Sequence, residues 1–459
     1  MNGTSGRSRL EHVANLVLIS AAAVCLLLLV GIVILQRDMT LPVALLIVFL
    51  ALITASLGLA LRAAIAVKIN LCLVLIAIAI SVAVAEIVLE FNPQLAGPGL
   101  GNAGGAAPRG VRSAVVEYRQ RGIPAFPPLH GWQIRTAGLT DPALVIEREG
   151  RAILPIMPAA ARTTTVLCDE AGHVTVYESD RFGFNNSDDL WTTGEFDVIA
   201  IGDSFVHGMC VSESENLVGR LRSRWPLTLN LGISGAGPLI ELAVLREYVS
   251  SLKAKNVLWF YFEGNDLTDL ETERRNRLLL DYLSPDAAPR LAGQHEASDQ
   301  QVRRFLDHVV TEPVPVKRVD RLENAISHAI SIAKITSVRG LIRFPMQAPP
   351  AGSTLDLLAN TLQNAKNLVH RNGGRLWFVY LPSYERFARW GTGDDFEGRG
   401  RVLQAVRTLG IPVIDVLDPF SLDTNWRTIW AESNVHYSPR GYALAAQAVA
   451  EALRAGPRH

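Results

Sequence analysis

Residues 196–205 read FDVIAIGDSF. Seven residues, apolar but for Asp197 and rich in β-branched side chains, end at Gly202. Such a short run bounded by glycine predicts a buried strand. The next apolar runs have the same character: LTLNLG (227–232), NVLWFYFEGND (256–266), RLWFVYLP (375–382) and IPVIDVL (411–417). Between them lie segments with helical spacing. These are Glu215–Trp225, Pro238–Ala254 (with Leu239, Leu242, Leu245 and Tyr248 on one face), Thr354–Arg371 and Glu397–Leu409. A last helix is expected at Ser438–Ala455, with Ser438 as its cap and Pro439 at its first position. Strand–helix alternation predicts an α/β fold: a parallel sheet covered by helices on both faces. In such a sheet, ligands meet the carboxyl ends of the strands. Ser204, on the tight turn after the first strand, is therefore presented at the top of the sheet.

Outward from this core the composition changes. The chain is 49% hydrophobic and 19% charged, and the apolar excess sits in the first ninety residues. Three runs, 13–35, 41–61 and 69–90, each have about the 20 residues needed to cross a bilayer as a helix. The first run is too long for a signal-peptide core, and no small-residue cleavage site leads from it into a polar chain. Arg7 and Arg9 precede the first run, Arg62 and Lys68 lie between the second and third, and only Arg37 lies between the first and second. Positive flanks stay inside. Three spans then place everything after residue 91 outside the cytoplasm, in a bacterial-type inner membrane. Residues 92–110 (NPQLAGPGLGNAGGAAPRG) have the composition of a tether. Residues 111–195 are rich in short β-like runs (Ala143–Glu147, Ala152–Ile156, Thr164–Cys168, His173–Tyr177) and read as a small β subdomain. Residues 267–350 interrupt the strand–helix rhythm with charged helical stretches, and an insertion of that length reads as a lid or docking surface.

Three further strand ends carry chemistry-bearing residues. NLGISGAG (230–237) offers small residues, so backbone N–H groups can approach a ligand. EGND (263–266) offers the Asn265 amide, and NVHYSPRGY (434–442) offers His436 ahead of the last helix. With GDSF, these four blocks in this order resemble the SGNH/GDSL hydrolases over roughly residues 196–455. The resemblance implies a flavodoxin-like hydrolase domain at 196–459. It implies Ser204 as nucleophile and His436 as general base. It also implies an oxyanion hole formed by the Ser204 N–H, the Gly235 N–H and the Asn265 side chain. Gly232 is the alternative glycine, and Gly235 is preferred because it follows Ser234 in the Ser–Gly pair of that block.

One position departs from the family pattern. An acid normally stands two or three residues before the histidine, where this chain has Asn434 and Ser433. Asn434 can orient an imidazole without neutralising it. Glu432 or Asp415 can supply a carboxylate instead, or the pair can act as a dyad. His207 is expected to pack beneath the site, Asp203 to hold backbone amides, and Asp266 and Asp269 to serve surface or capping roles. Trp132 and Trp191 are the aromatics best placed to meet a substrate.

Four cysteines show no zinc-ligand spacing, and no cofactor motif is present. Cys25 and Cys72 lie in apolar runs. Cys168 and Cys210 lie in the polar part and can pair outside the cytoplasm, fastening the β subdomain to the catalytic helix. A net charge of zero with no basic block argues against nucleic acid as a partner. The expected partners are the membrane and an acyl ester, and the resemblance points to cell-envelope polysaccharide, as in relatives that acetylate exopolysaccharides. O-acyl transfer requires an acyl donor, which a second membrane protein would supply. The contrasting expectation, prompted by the missing acid, is a catalytically inactive binding or assembly protein of the same fold.

Overall fold

The computed structural model describes residues 3–35, 41–91, 109–139, 142–148, 150–170, 173–285, 287–311, 352–388, 398–431 and 435–456. The 196–202 run lies in strand β1 (Glu195–Gly202). It is followed in chain order by β2 (Thr228–Gly232), β3 (Lys253–Phe262), β4 (Arg375–Leu381) and β5 (Val413–Asp415). All pairings are parallel, and the spatial order is β5-β4-β3-β1-β2. Read from the other edge this is 2-1-3-4-5, the order of flavodoxin-like doubly wound sheets. The order reverses between β1 and β3, and in such sheets ligands bind beyond the strand ends at that switch point. Ser204 follows β1 and Asn265 follows β3, so both stand there.

Strand periodicity sends alternate side chains to opposite faces, and each face has its own core. Ile199, Ile201, Leu231, Trp259, Tyr261 and Phe378 point to one core, beneath helices Pro238–Val244, Gly352–Arg371 and Arg399–Thr408. Val198, Ala200, Leu258, Phe260 and Val379 point to the other, beneath helices Leu217–Arg222 and Pro439–Ala455. Ser438 caps the last helix through the Gly441 N–H, with Pro439 at its first turn, as the sequence predicts. The helix predicted at 238–254 ends earlier, because Leu245–Val249 forms a π turn and β3 already begins at Lys253.

Two expectations for the segments around the sheet need correction. The 111–195 subdomain opens on a helix, Arg109–Gln120, which also takes the last residues assigned to the linker; linker residues 92–108 lie outside the described residues. Its strands are a three-stranded sheet of Ala125–Phe126, Thr164–Glu170 and His173–Glu178 and a hairpin of Ile146–Arg148 with Arg151–Ile153. The described part of the 267–350 insertion is not a lid or a free docking surface. Helices Asp266–Glu273 and His295–Thr311 bury Leu270, Val302, Phe305 and Leu306 in the first sheet core. These residues recur at helical spacing, so the helices are built into the domain.

The chain divides into two compact units; of the described residues, those up to 91 belong to the first and those from 109 onward to the second. In the first, helices Gly3–Leu35, Leu41–Ala60 and Ile65–Phe91 coincide with the three apolar runs. Two of them contain stretches long and apolar enough to cross a membrane, Leu10–Leu27 and Ile65–Val82. The middle helix offers a shorter described apolar stretch, Ile47–Ala60, so the expectation of three spans is reduced to two. Lys68, almost fully buried, pairs with Glu11 at 3.1 Å. That pair joins the start of the third helix to the start of the first. Cys72 is buried and Cys25 half-buried in the same helical cluster.

Candidate functional site

Ser204 opens a helix of four residues, Ser204–His207, whose N-cap is Asp203. The Asp203 carboxylate accepts the Phe205 N–H at 3.0 Å, holding a backbone amide as expected. The turn closes at Gly208 in the left-handed region (φ 91°), where glycine carries no steric penalty. His436 Nε2 lies 3.0 Å from Ser204 Oγ, so residues 232 positions apart meet at hydrogen-bond distance. The His436 loop is well fastened. The His436 carbonyl accepts the Ala431 N–H at 2.9 Å, and the Tyr437 hydroxyl donates to Pro382 O at 2.7 Å. The Phe205 ring packs 5.3 Å from the imidazole.

The two glycines of the second block separate by function. A Cβ on Gly232 would come within 2.3 Å of the His207 nitrogen, and the Gly232 N–H donates to Asn230 Oδ1 at 2.9 Å. Gly232 therefore lets the Ser204 helix lie against β2, and its N–H is committed. Gly235 stands in the left-handed region (φ 73°), and among the described residues no acceptor takes its N–H. On the third block, Asn265 Nδ2 lies 3.5 Å from Asp203 Oδ2, and Asn265 Oδ1 has no partner among the described residues. Ser204, Gly235, Asn265 and His436 are thus gathered at one end of the sheet.

Asn434 and Glu432 lie outside the described residues. Asp415 is described, and the structure does not make it available to His436. Its carboxylate is held by Arg399 and by the Leu417 N–H.

His207 is fully buried below the turn, as expected. Its Nε2 contacts the Tyr177 hydroxyl and its Nδ1 the Ser234 hydroxyl, both at 2.9 Å. The Ser234 N–H also points at Nδ1 (3.2 Å), which assigns the proton to Nε2. Burial drives its pKa down to about 3, so it stays neutral. This chain ties the small β subdomain, the Ser204 helix and the Gly235 loop together. Tyr177 and Asn230 carry no sequence signal that would have singled them out.

Cys168 and Cys210 form a disulfide across 42 positions, with Cα atoms 5.2 Å apart. It joins the strand Thr164–Glu170 to the segment just after the helix Ser204–His207. Closing a loop of that length removes about 4 kcal/mol of unfolded-state entropy. Reductant, or Cys168→Ser, should therefore lower the thermal midpoint of the unit by many degrees. An unchanged midpoint would show that the bridge adds nothing to stability.

Beneath the site lies a group of buried carboxyls. Glu273 accepts N–H groups from Gly237 (2.6 Å) and Leu239 (2.9 Å). Asp266 accepts the Phe262 N–H at 2.9 Å, whereas Glu241 has no hydrogen-bond partner for either oxygen among the described residues. Asp269 is buried and pairs with Arg135, which corrects its assignment to a surface or capping role. No His, Cys, Asp or Glu among the described residues are grouped so as to hold a metal ion. Burial raises Asp203 to about 6 and, helped by the Asp269 charge, Glu273 to about 8. Glu241 and Asp266 are raised as well, again by burial first.

The sign of the pH dependence follows. A carboxyl raised in the folded state binds its proton there after the unfolded chain has released it. Stability is then lost as pH rises from the unfolded carboxyl range through about 6 for Asp203 and about 8 for Glu273. His130 and His207 act oppositely, but only below their unfolded value of 6.5. From pH 6.5 to 8 the carboxyls dominate, so the thermal midpoint should fall with pH, and Glu273→Gln should flatten that slope. A midpoint independent of pH over this window would contradict the assignment.

Trp191 is a structural residue, donating from Nε1 to Asp180 Oδ2 at 2.7 Å and packing against Phe182. Trp132 is different, because it lies against Gly235. Comparison of the sequence with protein-family models finds no match, and comparison with curated proteins finds none either.

Proposed function

We propose that this chain is a membrane-tethered serine ester hydrolase or O-acyltransferase of the SGNH/GDSL type, acting outside the cytoplasm through an acyl-serine intermediate. The observation that carries the reading is the 3.0 Å contact between Ser204 Oγ and His436 Nε2 at the switch point of a parallel sheet. In the proposed reaction His436 takes the Ser204 proton as Oγ attacks the ester carbonyl. The Gly235 and Ser204 N–H groups and the Asn265 amide receive the oxyanion. Collapse expels the alcohol, which takes the proton back from His436. Water then releases the acid, or a sugar hydroxyl carries the acyl group away.

Extracytoplasmic placement rests on three supports. Positive residues flank the start of the first helix and the start of the third. The Glu11–Lys68 pair joins those two starts, so the first and third helices run the same way, and in this reading the shorter middle helix crosses back between them and the third leaves on the side opposite the N-terminus. A disulfide in the catalytic unit suits an oxidising compartment. A cell-envelope glycan or lipid-linked ester fits that location, and transfer rather than hydrolysis would require a membrane partner to deliver the acyl group.

The test uses the full-length protein in detergent. A fluorophosphonate probe should attach covalently to Ser204. Acetyl esters should yield free acetate, or acetylated oligosaccharide when an acceptor is added. Folded protein that neither labels nor turns over an ester would instead fit a binding or assembly role.

A further inference from the structure

We infer that Trp132 forms an alcohol-side subsite beside the oxyanion hole, where the indole takes the C–H face of a pyranose ring. The ring belongs to the ester being cleaved or to the acceptor being acylated. This inference deepens the proposed reaction at Ser204 and rests on it.

The argument begins with how firmly Trp132 is seated. The helix Gly131–Thr136 comes from the small N-terminal subdomain, about a hundred positions before the sheet loops it touches. At one end the Gly131 N–H donates to Ser234 O at 2.8 Å. The approach is so close that a Cβ on Gly131 would lie 2.1 Å from Gly235 O. At the other end Arg135 pairs with Asp269, on the helix that Asn265 caps. Asn276 Nδ2 donates to Arg135 O and Ala137 O at 3.0 and 3.1 Å. The helix therefore spans from the Gly235 loop to the Asn265 helix, and Trp132 is held at its Gly235 end.

The indole itself touches Gly235. A Cβ there would lie 2.6 Å from Trp132 Cε3 and 2.9 Å from Cζ3. The His130 ring stacks on Trp132 with centroids 3.7 Å apart and planes 12° from parallel. His130 is buried, and burial lowers its pKa to about 3, so the backing ring is uncharged. Yet Trp132 keeps 37% of its surface exposed. A large aromatic held by the Gly235 backbone and the His130 ring and still open to solvent beside the site is arranged to meet something flat and apolar. The openness decides which part of the substrate it meets. An acyl-chain pocket would enclose its ligand, whereas the alcohol or acceptor must reach in from solvent and leave again. Sugar C–H groups carry partial positive charge, which the face of an aromatic ring attracts.

The experiment compares Trp132→Ala and Trp132→Phe in the full-length enzyme. The substrates are an acetylated methyl pyranoside, ethyl acetate and a series of ethyl esters of longer acyl chains. Trp132→Ala should lower kcat/KM for the pyranoside ester about tenfold more than for ethyl acetate, mostly through KM, roughly the effect of one aromatic contact. Trp132→Phe should recover most of that loss. Equal losses on both substrates would mean that the indole only props Gly235. A changed preference for acyl length would place Trp132 in an acyl pocket. Both results overturn the inference. A binding arm separates its failure from that of the reaction. Calorimetric binding of a partially acetylated β-linked pyranose oligosaccharide to Ser204→Ala, lost in Ser204→Ala/Trp132→Ala, supports the subsite even if no ester is turned over. No binding to Ser204→Ala overturns it.

Discussion

Replacing Ser204 by Ala should abolish fluorophosphonate labelling and lower ester turnover by about a millionfold, the scale seen when a nucleophile that acts as a unit with its base is removed. His436→Ala should cost nearly as much, because Ser204 Oγ has no other imidazole at 3.0 Å to take its proton among the described residues. His207 is the nearest alternative in sequence, but it is buried and occupied by Tyr177 and Ser234. The double variant should be no worse than either single one, since two groups acting in one step are not additive. Folding should be retained: Ser204 Oγ and His436 Nε2 contact each other, and the cap of the nucleophile helix is Asp203. Loss of labelling with an unchanged thermal midpoint is the expected pair of results. Residual labelling at a different serine would move the nucleophile elsewhere.

The sheet was legible because its signal is local. Each strand is a short apolar run with β-branched residues, and the glycines at 202 and 232 mark where two of them stop. The pairing of Ser204 with His436 was legible only through a four-block resemblance, since no periodicity links positions 232 apart. What escaped the sequence is what depends on tertiary proximity. The helix at Gly131 gives no sign that its backbone will press on Gly235, because the glycine that permits the contact looks like any turn residue. Glu241 and Glu273 carry no mark of burial in the sequence, yet both are buried. The insertion differs for another reason. In QQVRRFLDHVV the charges mask a stripe, Val302, Phe305, Leu306 and Val310, that is buried. Of the carboxylates the sequence offered to His436, Asp415 is committed to Arg399 instead.

Asn265→Ala should lower kcat by about 10²–10³-fold with little change in KM, because the amide is assigned to an oxygen that is charged only in the transition state. The local geometry makes a sharper version possible. Asn265 Nδ2 directs one proton toward Asp203 Oδ2 at 3.5 Å, which leaves the second for the oxyanion. Asp203 is fully buried, and burial already raises its carboxyl to about 6, with Asp269 adding like charge. Asn265→Asp would put another carboxyl against it. Above the range where both ionise, the new charge repels the developing oxyanion as well as Asp203, so Asn265→Asp should fall below Asn265→Ala. At lower pH the introduced carboxyl holds a proton and can donate it, so Asn265→Asp should rise above Asn265→Ala. Taking the ratio of the two variants at each pH removes the pH dependence common to both. A ratio that falls as pH rises identifies position 265 as an oxyanion donor. A flat ratio, or an effect confined to KM, would remove Asn265 from the transition state and leave it a ground-state contact.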